Sequence, residues 1–314
     1  MPASHRLALL PLLLALLAGC SSRGTNLNGP SETAATASPD QAEVASTVAS
    51  NPVFVDDEIS ESPDQTSLSN DVGTGSVSVQ GTIRPLAFWR TIRDVERTFE
   101  FAFSDTDSTG RPTTAVVTIH KHFTGSFNIL VSDEVPEGNP PQSHVIHKPL
   151  VDNWVRRVLL KRVPLENSDR TVWRIAATSG VRITSRDATT KIQSLRIQSG
   201  AVDETIDNPL AFFRLRAMLQ LDPAADVTIT ATTMRNDDVV LLYLLDRRIR
   251  FHNNGDNTYT ATVNVPDRTG LHHVGVNALS NGTLFDDQAP YDSQTWITPY
   301  LVHPLELAAG TPTD

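Results

Sequence analysis

The chain has 314 residues, 39% of them hydrophobic, and a formal net charge of −10. That is enough apolar material for one large or two ordinary domains, and the acidic balance argues against a nucleic-acid ligand. Cys20 is the only cysteine, which excludes an internal disulfide.

Residues 1–19 form a targeting segment. Arg6 supplies a short positive region, and Leu7 to Leu17 an apolar run interrupted only by Pro11. The run is too short to span a bilayer as a helix but suits a signal peptide. It ends in Leu17-Ala18-Gly19-Cys20. This end resembles the lipobox of bacterial lipoproteins. The resemblance implies cleavage before Cys20, acylation of Cys20 and stable anchoring of the chain in a membrane of the cell envelope. If the cell is Gram-negative, Ser21 in place of Asp implies the outer membrane.

Residues 20–80 follow as the lipidated cysteine and a tether. Residues 21–80 hold nine acidic residues and one basic residue, Arg23, with scattered single apolar positions. Such a composition predicts disorder. A flexible coil of that length would reach roughly 40–45 Å from the lipid.

The remainder reads as mainly β. Residues 81–199 are expected to form an antiparallel β-rich domain, with a cystatin-like or NTF2-like α+β fold as the alternative. A short helix at "PLAFWR" (85–90) is expected to precede it. Val95 to Phe103 alternates apolar and polar residues, the period of a half-buried strand. Thr113–Phe123 and Phe127–Val131 are expected as strands joined by a hairpin turn at 124–126. Further strands are expected at 153–163, 171–177, 180–185 and 191–198. A charge shift near Ser199-Gly200, from a basic to an acidic stretch, marks the expected domain boundary.

Residues 200–305 are expected to begin with a helix at 209–220, opened by "PLAFFR" and capped by Asp207 or Asn208. Short strands separated by Asn/Gly/Asp turns then predict a sandwich. Residues 306–314 are a tail. Within the sandwich, Asn254-Gly255-Asp256-Asn257-Thr258-Tyr259 and Gly270-Leu271-His272-His273-Val274-Gly275-Val276 resemble the filamin-type immunoglobulin-like repeat. The resemblance implies an Ig-like β-sandwich and departs at Asn257, where the family favours glycine. Tyr259, Ala261, Val263 and Val265 are expected to point inward.

Chemistry-bearing patterns are sparse. His120 and His122 form an H-x-H on a strand, so both imidazoles share one face and are the metal candidates, with His144 and His147 nearby. A solvated polar face fits them better. "DTDSTG" (105–110) imitates the start of a calcium loop, but Val116 stands where the closing Glu is required. No nucleophile elbow, phosphate loop or dinucleotide fingerprint is present, so no cofactor is expected. Arg174 and Arg182 alternate with Trp173, Ile175, Val181 and Ile183, Arg196 lies between Leu195 and Ile197, and Arg156 follows Trp154; the four are expected to project from one sheet face toward an anionic ligand. The expected role is that of a lipid-anchored envelope protein without catalytic activity that presents its domains to a protein partner. The alternatives are an anionic envelope ligand on the arginine face, and a hydrolase whose site no motif reveals.

Overall fold

A computed structural model describes residues 38–57, 59–61, 65–68, 82–132, 142–166, 170–214, 218–244 and 247–302. The expected signal peptide, Cys20 and the tail at 306–314 lie outside these residues. The chain opens with α1 (Pro39–Ala49), α2 (Pro52–Val55) and the short β1 (Thr66–Ser67). Four long strands follow: β2 (Arg84–Thr106), β3 (Pro112–Ser132), β4 (Ser143–Pro164) and β5 (Thr171–Ser185). Next come β6 (Ile192–Ser199), β7 (Val202–Ile206), β8 (Phe212–Arg214), β9 (Gln220–Leu221), β10 (Asp226–Thr233) and β11 (Val239–Leu244). The chain continues through β12 (Arg247–Arg250), β13 (His252–Asn253), β14 (Thr258–Asn264) and β15 (Gly270–Leu279). It closes with α3 (Asn281–Phe285) and β16 (Ser293–Val302).

These strands make two sheets. The larger runs β1-β2-β3-β4-β5-β16-β15-β11-β12, with β8 beside β5 and β9 beside β16. It curls into a nearly closed barrel, and an Arg248 Nη1 to Thr66 Oγ1 hydrogen bond (2.9 Å) links its two ends. The smaller sheet runs β13-β14-β10-β6-β7. It packs on the back of β16, β15 and β11, which therefore serve two cores. Along β15, Val274, Val276 and Ala278 face the small sheet, whereas Gly275 and Leu279 face the barrel interior.

Strands of 23, 21 and 22 residues are several times the usual length, and they must bend to curl. Register shifts between Ile92 and Asp94 opposite β3, and between Arg156 and Val158 opposite β5, supply the bends. Glycine makes two of them fit. A Cβ on Gly125 would lie 2.0 Å from the Thr91 carbonyl oxygen, and one on Gly180 would lie 2.5 Å from that of Ile297. Gly125 lies in mid-strand. The turn expected at 124–126 is instead a bend inside β3, which stays paired to β2 and β4 throughout.

Both expected domain-opening helices are strands or turns. "PLAFWR" lies in β2, where Phe88 pairs with Ile129 and is 1% exposed. In "PLAFFR", Asn208 Oδ1 accepts from the Leu210 N–H (3.0 Å) and closes a turn, and Phe212–Arg214 then pairs with β5. The side chain read as a helix cap is used in an Asx turn, and sheet pairing overrides helix propensity.

Helices α1 and α2 lie in the stretch expected to be a disordered tether. Ser38 caps α1, its Oγ accepting from Gln41 N (3.2 Å). Its apolar residues, scattered in sequence, converge in space: Val44, Val48, Val55, Ile59 and Leu68 are each at most 5% exposed. Full burial contributes about 1.5–3 kcal/mol per such side chain, enough to order a polar segment against a preformed concave sheet. The described residues of 38–61 thus form a strap inside the barrel, and Thr66–Ser67 then joins its wall as β1.

The division expected at residue 200 does not follow the sheets. β6 precedes it yet sits between β10 and β7, while β5 pairs with β16 from the far end of the chain. The turn at 254–257 carries Gly255 at φ +86 and Asn257 at φ +66. Tyr259, Ala261 and Val265 are buried there, and the Tyr259 hydroxyl donates to the Arg235 carbonyl (2.9 Å).

Candidate functional site: a charged barrel interior

Period-2 alternation decides which side chains enter the barrel. On β3, Lys121 is in phase with Val117, Ile119 and Phe123; on β4, Asp152 and Arg156 are in phase with Leu150, Trp154, Val158 and Leu160. With Arg90 from β2, these place three cations and one carboxylate inside, none more than 7% exposed. Such charges require partners.

The strap supplies most of them. Lys121 Nζ reaches Asp56 and, at 2.8 Å, Glu61 Oε1. Asp57 Oδ1 accepts from the N–H groups of Ile59 (3.1 Å) and Ser60 (2.7 Å), and its Oδ2 accepts from Trp154 Nε1 (2.8 Å). Arg156 donates to the Asp56 carbonyl (2.7 Å), and Arg90 to the Ser60 carbonyl (3.0 Å). Nearer α1, Arg162 pairs with Asp40. Lys121 Nζ (5.0 Å) and the Arg156 guanidinium (6.0 Å) both lie over the Trp154 ring, two cation–π contacts. On the far wall, His273 Nε2 accepts from Arg156 Nη2 (3.3 Å). Burial first, and then the Arg156 charge, lower the His273 pKa to about 4. Asp152 accepts from the Tyr291 hydroxyl (3.1 Å) and faces Arg90 at 3.8 Å. Burial nevertheless pushes it up to about 6.

The four sequence-predicted arginines do not form one face. Arg174 and Arg182 are exposed on the outside of β5. Arg156 is 0% exposed on the inside, because it shares the phase of Trp154 and Val158. Arg196 lies on the small sheet, where its Nε (2.8 Å) and Nη2 (2.5 Å) fork onto Asp203. His120 and His122 do share the outer face, where His120 lies 3.5 Å from Glu100 and His122 Nδ1 lies 3.0 Å from Asn153 Oδ1. His147 Nδ1 is 2.7 Å from Asn128 Oδ1. Among the described residues, no group of three or more His, Cys, Asp or Glu is placed to hold a metal ion. His272 is buried, with Nε2 2.6 Å from the Arg268 carbonyl.

A second buried carboxylate lies in the sandwich. Asp238 is 4% exposed, and neither oxygen has a hydrogen-bond donor; the nearby Thr233 hydroxyl gives its proton to the Arg235 carbonyl (2.6 Å). Burial pushes its pKa up to about 6. An acid raised above its unfolded value of about 3.9 stabilises the fold below that value, and the contribution is lost as pH rises through the folded pKa. Asp152 acts in the same direction, and His273, lowered, acts in the opposite one. Asp238→Asn is therefore expected to shrink any fall in stability between pH 5 and pH 7. Urea midpoints of both proteins at the two pH values check this; an unchanged difference would contradict it.

No family model, curated protein or solved structure matches the chain.

Proposed function

We propose that this is a lipid-anchored protein of the bacterial cell envelope whose role is to bind a protein partner, without catalysis. The lipobox-like Leu17-Ala18-Gly19-Cys20 supports the anchor. The observation that carries the binding role is the open edge of β2. Between Thr91 and Thr106, β2 has β3 on one side and, among the described residues, no strand on the other. Such an edge offers its N–H and C=O groups to an added strand. Phe99, Phe101 and Phe103 stand half-buried along it, ready to be covered further. The buried interior charges are held by the chain's own strap, which favours binding at the outside edge over a reaction inside the barrel. The Ig-like sandwich, in this reading, braces the barrel from behind.

The test is photo-crosslinking in the native cell with a reactive residue at Thr98 or Ala102, both exposed on β2. A discrete protein adduct is expected at these positions and not at Arg174 on the outside of β5. Equal adducts at all three, or none at the edge, would sink the edge reading. Cys20→Ser is expected to move the protein from the membrane fraction to the soluble one; unchanged fractionation would sink the anchor.

A further inference from the structure

We propose that the groove occupied by the described residues of 38–61 is a second peptide-binding site, and that its ligand is an acidic, aliphatic peptide segment of a partner protein that takes the strap's place. Three observations carry this, independently of the β2 edge. First, charge is divided between wall and occupant. The sheet contributes the buried cations Arg90, Lys121 and Arg156, and the strap contributes Asp56, Asp57 and Glu61. A groove of this kind selects acids, since an apolar or basic peptide would leave its cations buried and unpaired.

Second, the strap satisfies the groove incompletely. The donors Arg90 Nε and Arg156 Nε are buried without a hydrogen-bond partner. In a fixed core such atoms are normally paired, and a ligand reaching them gains hydrogen bonds that the strap lacks. Third, the ionic contacts at the mouth are the accessible ones. Asp56 and Glu61 are 42% and 48% exposed, although both hold a Lys121 side chain that is 3% exposed. Replacing buried ion pairs with apolar packing commonly leaves stability unchanged or raises it. A seam closed by charges is therefore selective and salt-sensitive without being the firmest closure available. The strap's acids and its aliphatic anchors Val55 and Ile59 define what an exchanging peptide must present.

The probe is a fluorescent synthetic peptide with the sequence of Ser38–Leu68, added in trans to the detergent-solubilised full-length protein and followed by anisotropy. The cis strap competes with it, so the wild type is expected to bind weakly. Asp56→Asn/Glu61→Gln frees Lys121 and weakens the competitor, and is expected to tighten peptide binding about tenfold. A peptide carrying the same two neutralisations is expected to bind neither protein, and added salt to weaken binding. Equal affinity of wild type and double variant, with native circular dichroism in both, would overturn the proposal. So would displacement of bound peptide by vesicles of anionic phospholipid, which would reassign the groove to lipid. Should the double variant not fold, Glu61→Gln alone is read by the same criteria.

Discussion

Arg156→Ala is expected to cost about 3–5 kcal/mol of folding stability, the range for removing one partner of a buried ionic network. The side chain is 0% exposed, donates to the Asp56 carbonyl and to His273, and lies over Trp154. Its loss leaves a cavity and removes a cation that acts electrostatically on the buried Asp57 carboxylate. Arg182→Ala, on the outside of the adjacent strand, is expected to change stability by less than about 0.5 kcal/mol. Urea denaturation of the two variants makes the comparison. A small effect at Arg156, or equal effects at both sites, would show that the interior network does not hold the strap. Arg156→Met/Asp57→Asn is expected to recover part of the loss, because the two groups belong to one network and their effects are not additive.

The second large effect is steric. Gly125→Ala and Gly180→Ala are each expected to cost roughly 3 kcal/mol or more, since the added carbon meets backbone oxygens that move only if paired strands separate. Gly125→Ala is the more severe, at 2.0 Å against 2.5 Å. Gly110 provides the contrast. Its φ is +80 but nothing lies within 4 Å of a Cβ there, so Gly110→Ala is expected to cost about 1 kcal/mol, from backbone strain alone. Thermal midpoints in the order Gly110→Ala, Gly180→Ala, Gly125→Ala, from least to most destabilised, are the expected result. The reverse order would mean that the strands are not held where the bends place them.

The mainly β, antiparallel character of the fold is legible in the alternation from Val95 to Phe103 and in the turn residues of the C-terminal third. Three things were less so. Strand length was hidden because Thr124-Gly125-Ser126 has the composition of a turn, and only the Thr91 carbonyl pressed against Gly125 shows why a glycine stands in mid-strand. The strap was hidden because its apolar residues are single and widely spaced. They match the concavity of a sheet formed later in the chain, and periodicity within one segment carries no sign of that. The interior site was partly legible. Lys121 interrupts the apolar phase between Ile119 and Phe123, and Asp152 and Arg156 interrupt it between Leu150 and Val158. A charge in the apolar phase of a strand is the signal, and His120 and His122 lie in the opposite, outward phase. Arg156 belongs to the apolar phase with Trp154 and Val158, two residues away on either side, and so points inward, away from Arg174 and Arg182.

Strands β11, β15 and β16 each put one set of side chains into the barrel and the alternate set into the sandwich. Most two-layer proteins can be recombined at a linker, each half keeping its own interior. Here no cut between residues 185 and 293 leaves both interiors lined, because β5 takes its pairing partner from the last strand and β10 takes one, β6, from before the boundary expected at residue 200. The molecule is inherited whole: neither half can be exchanged, transplanted or lost without opening the other.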